Sequence, residues 1–379
     1  MAESPISSTS IEELDTGIFR SDRRMNDGRT IRYYDRKETH RSAEDLRPAE
    51  EPAKIGELRL DPLLNEWIAF AAHRQHRAFL PPKELCPLCP TTNELLTEIP
   101  DSNFEVVVFD NKNPSLSPAA GAWGLPELHG PSTGTTSAAG KCEVICFSDQ
   151  HEGSFGSLSL DRILLVMKAL RDRTEEISSL PNIVQVFPFE NRGEEVGVTI
   201  RHPHGQIYSY SYLTPRTEKM LNTARAYHAE TGRVLLDDVV AREIKDGVRI
   251  TAQNEHWVAY VPFAARYPFE IHVAPRKSVA DLTELTIDQM NAFPEIAKTV
   301  LLQLDGVFNL EMPYMAAWHQ APVSVGRDVL RLHWQITCVR RAPGKLKYLA
   351  GSESAMGAFI MDLTPEQSAE QLKAVTVKL

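Results

Sequence analysis

A chain of 379 residues, 42% of them apolar, is long enough for two domains or one large duplicated one and can fill a core without disulfide staples. A net charge of −10 excludes an extended basic surface for DNA or RNA, although isolated arginines can still hold a small phosphorylated ligand. No apolar run approaches the roughly 20 residues of a membrane helix, and the opening MAESPISSTSIEELDTG lacks the basic and apolar regions of a secretion signal, so a cytosolic location is expected.

In chain order, residues 1–53 mix dense charges of both signs with little apolar periodicity, which predicts a charged arm, mobile or loosely docked, without chemistry of its own. EWIAFAA (66–72), FEVVVFD (104–110) and EVICFS (143–148) are rich in β-branched and aromatic residues and predict strands. Residues 113–141, crowded with Pro, Gly, Ser and Thr, predict a long loop. Helical spacing of apolar residues follows over 158–180, then further strands at NIVQVFPFEN (182–191) and GVTIRHPHGQIYSYS (197–211).

The second half repeats this order. HWVAYVPF (256–263) echoes EWIAFAA, residues 269–290 parallel 142–163 as strand, loop and helix, and LHWQITCV (332–339) mirrors PHGQIYSY (203–210). The expected fold class is therefore α+β with mainly antiparallel sheets, built as two duplicated halves, 54–218 and 219–379, behind the arm.

Cys86 and Cys89 in ELCPLCPTT form a C-x-x-C pair that can present two thiolates to one tetrahedral ion from a tight turn. A redox dithiol normally opens a helix after a strand, and the prolines at 87 and 90 suit a metal knuckle better; two reduced surface thiols are the plain alternative. Five cysteines in a chain without a secretion signal point the same way, and Cys142, Cys146, His151 and His202 are all candidates to complete the site.

His202 and His204 alternate around Pro203, and in a strand they would share one face about 6–7 Å apart. An imidazole nucleophile needs its Nδ1 proton held by an acceptor so that Nε2 can attack, and Gln206 on the same face offers a neutral amide to non-bridging phosphate oxygens. A pair of histidines merely hydrogen-bonded at a sheet surface is the bland reading, which the compact H-P-H-G-Q sequence disfavours.

Taken together, CPLC, CFSDQH, FENRGEEVGVTIRHPHGQI, WHQAP and LHWQI resemble the galactose-1-phosphate uridylyltransferase family, a duplicated branch of the histidine-triad superfamily, over about residues 57–370. The resemblance implies that His204 takes up UMP from UDP-glucose and passes it to galactose 1-phosphate by a ping-pong route. It also implies one structural zinc on Cys86, Cys89, His151 and His202. Gln206 stands where the related hydrolases carry a third histidine. The same likeness assigns Arg74, Arg77 and Asn111 to the nucleotide and its phosphates, Asn191 and Thr199 to the phosphate side, Lys347 to the hexose phosphate and Glu353 to sugar hydroxyls. A homodimer is implied as well.

Departures from the family pattern matter. Of the residues that hold a second metal, often iron, in many relatives, His319 remains while Thr337 and Val339 replace two histidines, so no iron site is expected. Ser352 replaces a tyrosine usual in some relatives, and GAFIMD (357–362) lacks a glutamine that helps read the sugar, which bears on the galactose assignment rather than on the transfer chemistry. The competing readings are a related transferase or phosphorylase acting on another nucleotide sugar, such as ADP-glucose, and a non-enzymatic, zinc-stabilised nucleotide-binding protein. Gly205 in HPHGQ favours the uridylyl reading over the phosphorylases, which tend to have serine there, and intact His204 and Gln206 argue against the non-enzymatic one.

Overall fold

The computed structural model describes residues 11–49, 51, 53–76, 79–121, 124–126 and 134–379, and the chain divides into two units. The first takes the described residues up to Gly153 together with Leu165–Pro188 and His202–Glu218; the second takes Ser154–Leu164, Phe189–Arg201 and Lys219–Leu379.

The first unit holds β1 (Ile11–Glu13), β2 (Phe19–Arg24), β3 (Thr30–Asp35), β4 (Glu57–Asp61), β5 (Glu66–Phe70), β6 (Val106–Asp110), β7 (Thr135–Ser137) and β8 (Gly140–Cys146). It also contains most of helix α1 (Leu160–Ser179), the start of β9 (Gln185–Arg192) and all of β10 (His204–Tyr210). Its main sheet runs β1-β2-β3-β6-β8-β10 with antiparallel neighbours, while β4 pairs with β5 and β7 in a small separate sheet. In the β8–β10 ladder Cys146 stands opposite His204, Val144 opposite Gln206 and Cys142 opposite Tyr208, so these side chains share a face. The other face carries Glu143, and α1 covers it: Arg173 Nε and Nη2 donate to Glu143 at 2.9 and 2.8 Å. The helix thus takes the face opposite His204; on the His204 face Cys142 packs with Leu58, Leu116 and Ala138, while His204 itself is half-buried.

The arm departs from expectation. Residues 11–35 are three paired strands, and β3 is hydrogen-bonded to β6. Charge density here marks ion pairing rather than solvation. The Tyr34 hydroxyl donates to Asp172 at 2.6 Å, Arg32 Nη2 to Glu176 at 3.0 Å, and the buried Arg41 forks onto Asp35 at 2.6 and 2.8 Å. Such pairs fix register more than they add stability, because desolvation offsets much of the attraction. The expected strand over 197–211 also shortens, to His204–Tyr210. Gly193 and Gly197, at φ 99° and 82°, turn the chain, and Pro203 has no N–H for the ladder. His202 and His204 are therefore not strand neighbours on one face. The predicted loop over 113–141 contains β7, which pairs with β4, and its last two residues open β8, while residues 122, 123 and 127–133 lie outside those described.

The second unit comprises helix α2 (Pro215–Thr231) from Lys219 on, α3 (Leu235–Asp246), β11 (Ile250–Gln253), β12 (Trp257–Tyr260), β13 (Ile271–Pro275), α4 (Ile287–Phe308), β14 (Tyr314–His319), β15 (His333–Cys338), α5 (Gly351–Met356) and α6 (Pro365–Lys373). The end of β9, Phe189–Arg192, pairs with β14, and the sheet continues β15-β13-β12-β11, again antiparallel. Thr286 and Gln289 form a capping box that starts α4, and the helix seals an aromatic core in which Phe293 meets Trp257, Trp318 and Trp334 at 5.2, 5.0 and 5.6 Å.

Duplication is visible strand by strand: β8 pairs with β10 in the first unit as β13 pairs with β15 in the second. The fold is α+β and antiparallel. The echo of EWIAFAA in HWVAYVPF is not realised in the same way, because β12 is buried throughout and lies beside β13 whereas β5 exposes Ile68 and Phe70 in the small sheet.

Candidate metal and histidine site

A short 3-10 turn at Lys83–Leu85 delivers Cys86, and the main-chain N–H of Cys89 returns to the Cys86 carbonyl at 3.4 Å, closing the knuckle. The Thr97 hydroxyl braces it by donating to the Cys89 carbonyl at 2.6 Å. From the end of β8 and the residues before β10 come His151 and His202. The metal-binding atoms of Cys86, Cys89, His151 and His202 lie within 4.8 Å of one another, with Cys89 Sγ 3.4 Å from His151 Nδ1 and 3.5 Å from His202 Nδ1. Ligand atoms about 2.0–2.3 Å from a tetrahedral ion have such mutual spacings.

Protonation chemistry supports the fit. His202 Nε2 lies 2.9 Å from the Ser148 carbonyl, which can only accept, so the proton sits on Nε2 and the Nδ1 lone pair faces the cluster. Burial holds the His202 imidazolium down to about 4, leaving the neutral form that ligates. Burial and the adjoining Cys86 push the Cys89 thiol up to about 12, so its thiolate form calls for a neighbouring cation. The four residues can hold a metal ion. Cys142 and Cys146 are not part of the cluster: Cys142 packs with Leu58, Leu116 and Ala138, and Cys146 is buried in β8.

His204 opens β10. Its Nδ1 lies 2.7 Å from the His202 carbonyl, so Nδ1 carries the proton and Nε2 keeps its lone pair. Burial lowers its imidazolium pKa, against the opposing hydrogen bond that Nδ1–H donates to that carbonyl, which favours the neutral ring. Gln206 and Tyr208 follow on the same face, all three half-buried. Arg74, on a 3-10 turn at Ala72–His76, donates Nη1 to the Tyr208 hydroxyl at 3.0 Å and to the Asn113 carbonyl at 3.2 Å, and also to the Ser115 hydroxyl. Thus Arg74 joins the His204 face, through Tyr208, a residue that sequence reasoning passed over although its i, i+2, i+4 spacing from His204 and Gln206 marks it.

Asn111 directly follows β6, its N–H donating to the Cys142 carbonyl at 2.9 Å and its Oδ1 accepting from Asn113 N at 2.9 Å. Arg77 lies outside the described residues. Asn191, Thr199, Lys347 and Glu353 belong to the second unit. There Asn191 stands in β9 opposite Met315, and Thr199 is half-buried. Lys347 Nζ donates to Glu353 Oε1 at 2.9 Å and to the Ile360 carbonyl at 2.6 Å, so these two are brought together as an ion pair. Also in the second unit, the His319 ring stacks on His333 at 5.1 Å, and the Thr337 hydroxyl donates to the Met315 carbonyl.

Residues 48–214 match the family model described as galactose-1-phosphate uridyl transferase, N-terminal domain, and residues 220–378 match its C-terminal domain. The chain is 38% identical over 369 residues to the galactose-1-phosphate uridylyltransferase of Streptomyces lividans, covering 93% of this chain and 96% of that one. A solved uridylyltransferase structure superposes with a TM-score of 0.75 at 30% identity, covering 84% of this chain and 98% of its own. An ADP-glucose phosphorylase from Arabidopsis thaliana shares the fold, with a TM-score of 0.64 at 23% identity over 85% of this chain and 100% of its own. Two adjoining domain matches and relatives aligned along nearly their whole length leave one conclusion, that this chain belongs to the galactose-1-phosphate uridyl transferase family.

Proposed function

We propose that the protein is a UDP-glucose:hexose-1-phosphate uridylyltransferase acting in galactose metabolism. The observation that carries the reading is the 2.7 Å contact between His204 Nδ1 and the His202 carbonyl, which fixes the tautomer with Nε2 available. In the first half-reaction Nε2 forms a bond to the α-phosphorus of UDP-glucose, the bond from that phosphorus to the bridging oxygen breaks, and glucose 1-phosphate leaves. In the second, a phosphate oxygen of galactose 1-phosphate attacks the same phosphorus, the N–P bond breaks, and UDP-galactose departs with His204 regenerated. Gln206 suits the intermediate because its amide can donate to a phosphoryl oxygen without bringing an ionisable proton. Arg74, Arg77 and Asn111 are assigned to the nucleotide and its phosphates, Asn191 and Thr199 to the phosphate side, and Lys347 and Glu353 to the hexose phosphate. The last two must exchange their mutual ion pair for substrate.

We assign zinc to the Cys86, Cys89, His151, His202 site because its two-thiolate, two-imidazole donor set suits that ion. Cys86, Cys89, His151 and His202 would hold it, and its role would be structural, tying the knuckle to His202, whose carbonyl orients His204. No iron site is proposed, since Thr337 and Val339 supply no ligand beside His319. A reducing, cytoplasmic setting agrees with a site built on thiolates, and among the described residues no helix is long and apolar enough to cross a membrane. A homodimer is proposed from the family likeness, and the net charge of −10 offers nothing to nucleic acid.

Incubation with UDP-glucose alone tests the assignment. An acid-labile, base-stable uridylyl adduct on the wild type and none on His204→Gly, with the metal content of the variant unchanged, is the expected result. An adduct that survives in His204→Gly overturns the choice of nucleophile, and labelling only from ADP-glucose redirects the reading to the phosphorylase branch.

A further inference from the structure

The family match begins at residue 48, yet the chain before it builds part of a cavity. A space of about 370 Å³ in the first unit is lined by Asp110, Asn111 and Lys112 at the end of β6, by Cys142 of β8, and by Asp27 and Arg29 of the turn between β2 and β3. Cys142 projects on the same sheet face as His204, four residues along the ladder from Cys146, the residue opposite His204. At about 3.3 Å per residue that separation is on the order of 13 Å. A nucleoside attached to phosphorus at His204 spans most of it.

The turn is shaped to stay where it is. Gly28 takes φ 84°, its N–H donates to the Met25 carbonyl at 3.0 Å, and Arg29 N donates to Asp27 Oδ1 at 3.1 Å, an Asp-Gly hairpin stabilised by its own side chain. Arg29 then acts outward. Its Nη1 donates to the main-chain carbonyl of Asp110 at 2.8 Å, and its Nη2 bridges Asp27 at 2.6 Å and Glu98 at 2.5 Å. Asp110 is held from two further directions, by Thr30 N on Oδ2 at 3.0 Å and by Lys141 Nζ on Oδ1 at 2.5 Å. The residue so fixed directly precedes Asn111, whose Oδ1 is turned onto Asn113 and whose Nδ2 donors are not spent in that turn.

We propose that the β2–β3 turn is a wall of the nucleotide pocket and that Arg29 is a positioning residue, setting the Asp110–Asn111 corner against the nucleoside of the donor substrate. The inference rests on the uridylyl-transfer reading above. A corner fixed before the ligand arrives loses little conformational freedom on binding, and a corner left to fluctuate weakens recognition of the nucleoside rather than the chemistry at phosphorus. Arg29 makes its contacts through the guanidinium fork, so lysine can restore at most one of them.

The test uses the full-length, metal-loaded protein with UMP as the probe. Calorimetry is expected to show UMP binding about tenfold weaker in Arg29→Ala and intermediate in Arg29→Lys, with kcat/KM for UDP-glucose falling in parallel. Discharge of a preformed uridylyl-enzyme by galactose 1-phosphate is expected to stay within about twofold of wild type. Arg36→Ala is the control: it removes an ion pair with Glu105 at the other end of β3, away from the cavity, and should leave UMP affinity unchanged. Equal losses in the Arg29 and Arg36 variants, or no loss in Arg29→Ala, overturn the proposal. Should Arg29→Ala not fold, hydrogen exchange on the wild type decides, with slower exchange over residues 25–30 on adding UMP as the expected outcome and no change there as the contrary one. A wild type that neither binds UMP nor accepts a uridylyl group instead removes the functional reading itself.

Discussion

Glu190 lies buried in β9 with the Tyr314 hydroxyl donating to its Oε1 at 3.1 Å, and burial pushes its carboxyl up to about 8 against the opposing pull of that bond and of Arg192. From its ordinary value of 4.5 up to about 8, the folded protein therefore keeps a proton that the unfolded chain has lost, so this residue makes stability fall as pH rises through that window. Glu190→Gln keeps an acceptor for Tyr314 and removes the titration. The variant should melt higher than wild type at pH 8, by on the order of 1 kcal/mol or more, and differ little near pH 4.5, as denaturant titrations at the two pH values would show. At this scale the sequence was most informative where several residues of one motif served one end: H-P-H-G-Q announced both imidazoles. It was silent where a role depends on a distant partner, as for Tyr208 under Arg74, because nothing in linear spacing says which charge a folded chain brings alongside.

At the scale of elements, β5, β6, β8, β9 and β10 were legible from β-branched and aromatic runs such as VVVF, whereas β4 and β7 were not and β1–β3 were hidden by their charges. The reason is specific: Arg32, Tyr34 and Arg20 find Glu176 and Asp172 on α1, more than a hundred residues away, so a segment that looks solvated alone is neutralised once folded. These strands also cap β6, a strand of four consecutive apolar residues that would otherwise be the edge of the sheet. A chain lacking residues 1–35 would present that edge to other molecules. It should melt lower than the full-length protein and show more concentration-dependent light scattering; a monodisperse truncated chain of unchanged stability would refute the capping role.

On the scale of the whole molecule, two units of related design are unequal in chemistry. The second repeats the local geometry of the first, since His333 Nδ1 lies 3.2 Å from the Arg331 carbonyl two residues back, as His204 does from His202. It differs in access and in neighbours. His333 is only 4% exposed and stacks on His319, and Gln335 donates to the buried Glu270 at 2.6 Å where Gln206 is half-buried. Among the described residues it also has no counterpart of the cysteine knuckle. Saturation with UDP-glucose should thus place one uridylyl group on each chain, and elemental analysis should find about one zinc and no stoichiometric iron. Two adducts per chain, counted by intact-mass spectrometry, would mean that the second imidazole is also reactive. Repetition of order was visible in the letters, but the silencing of the second copy was not, because burial is a property of packing.

His202 lends its ring to the cysteine–histidine cluster and its main-chain oxygen to the proton of His204. A designer could not simply replace the knuckle by a well-packed apolar plug. The substitute would also have to hold one peptide oxygen in place to within about 0.5 Å, or the His204 ring would lose its bearing while the protein around it stayed folded.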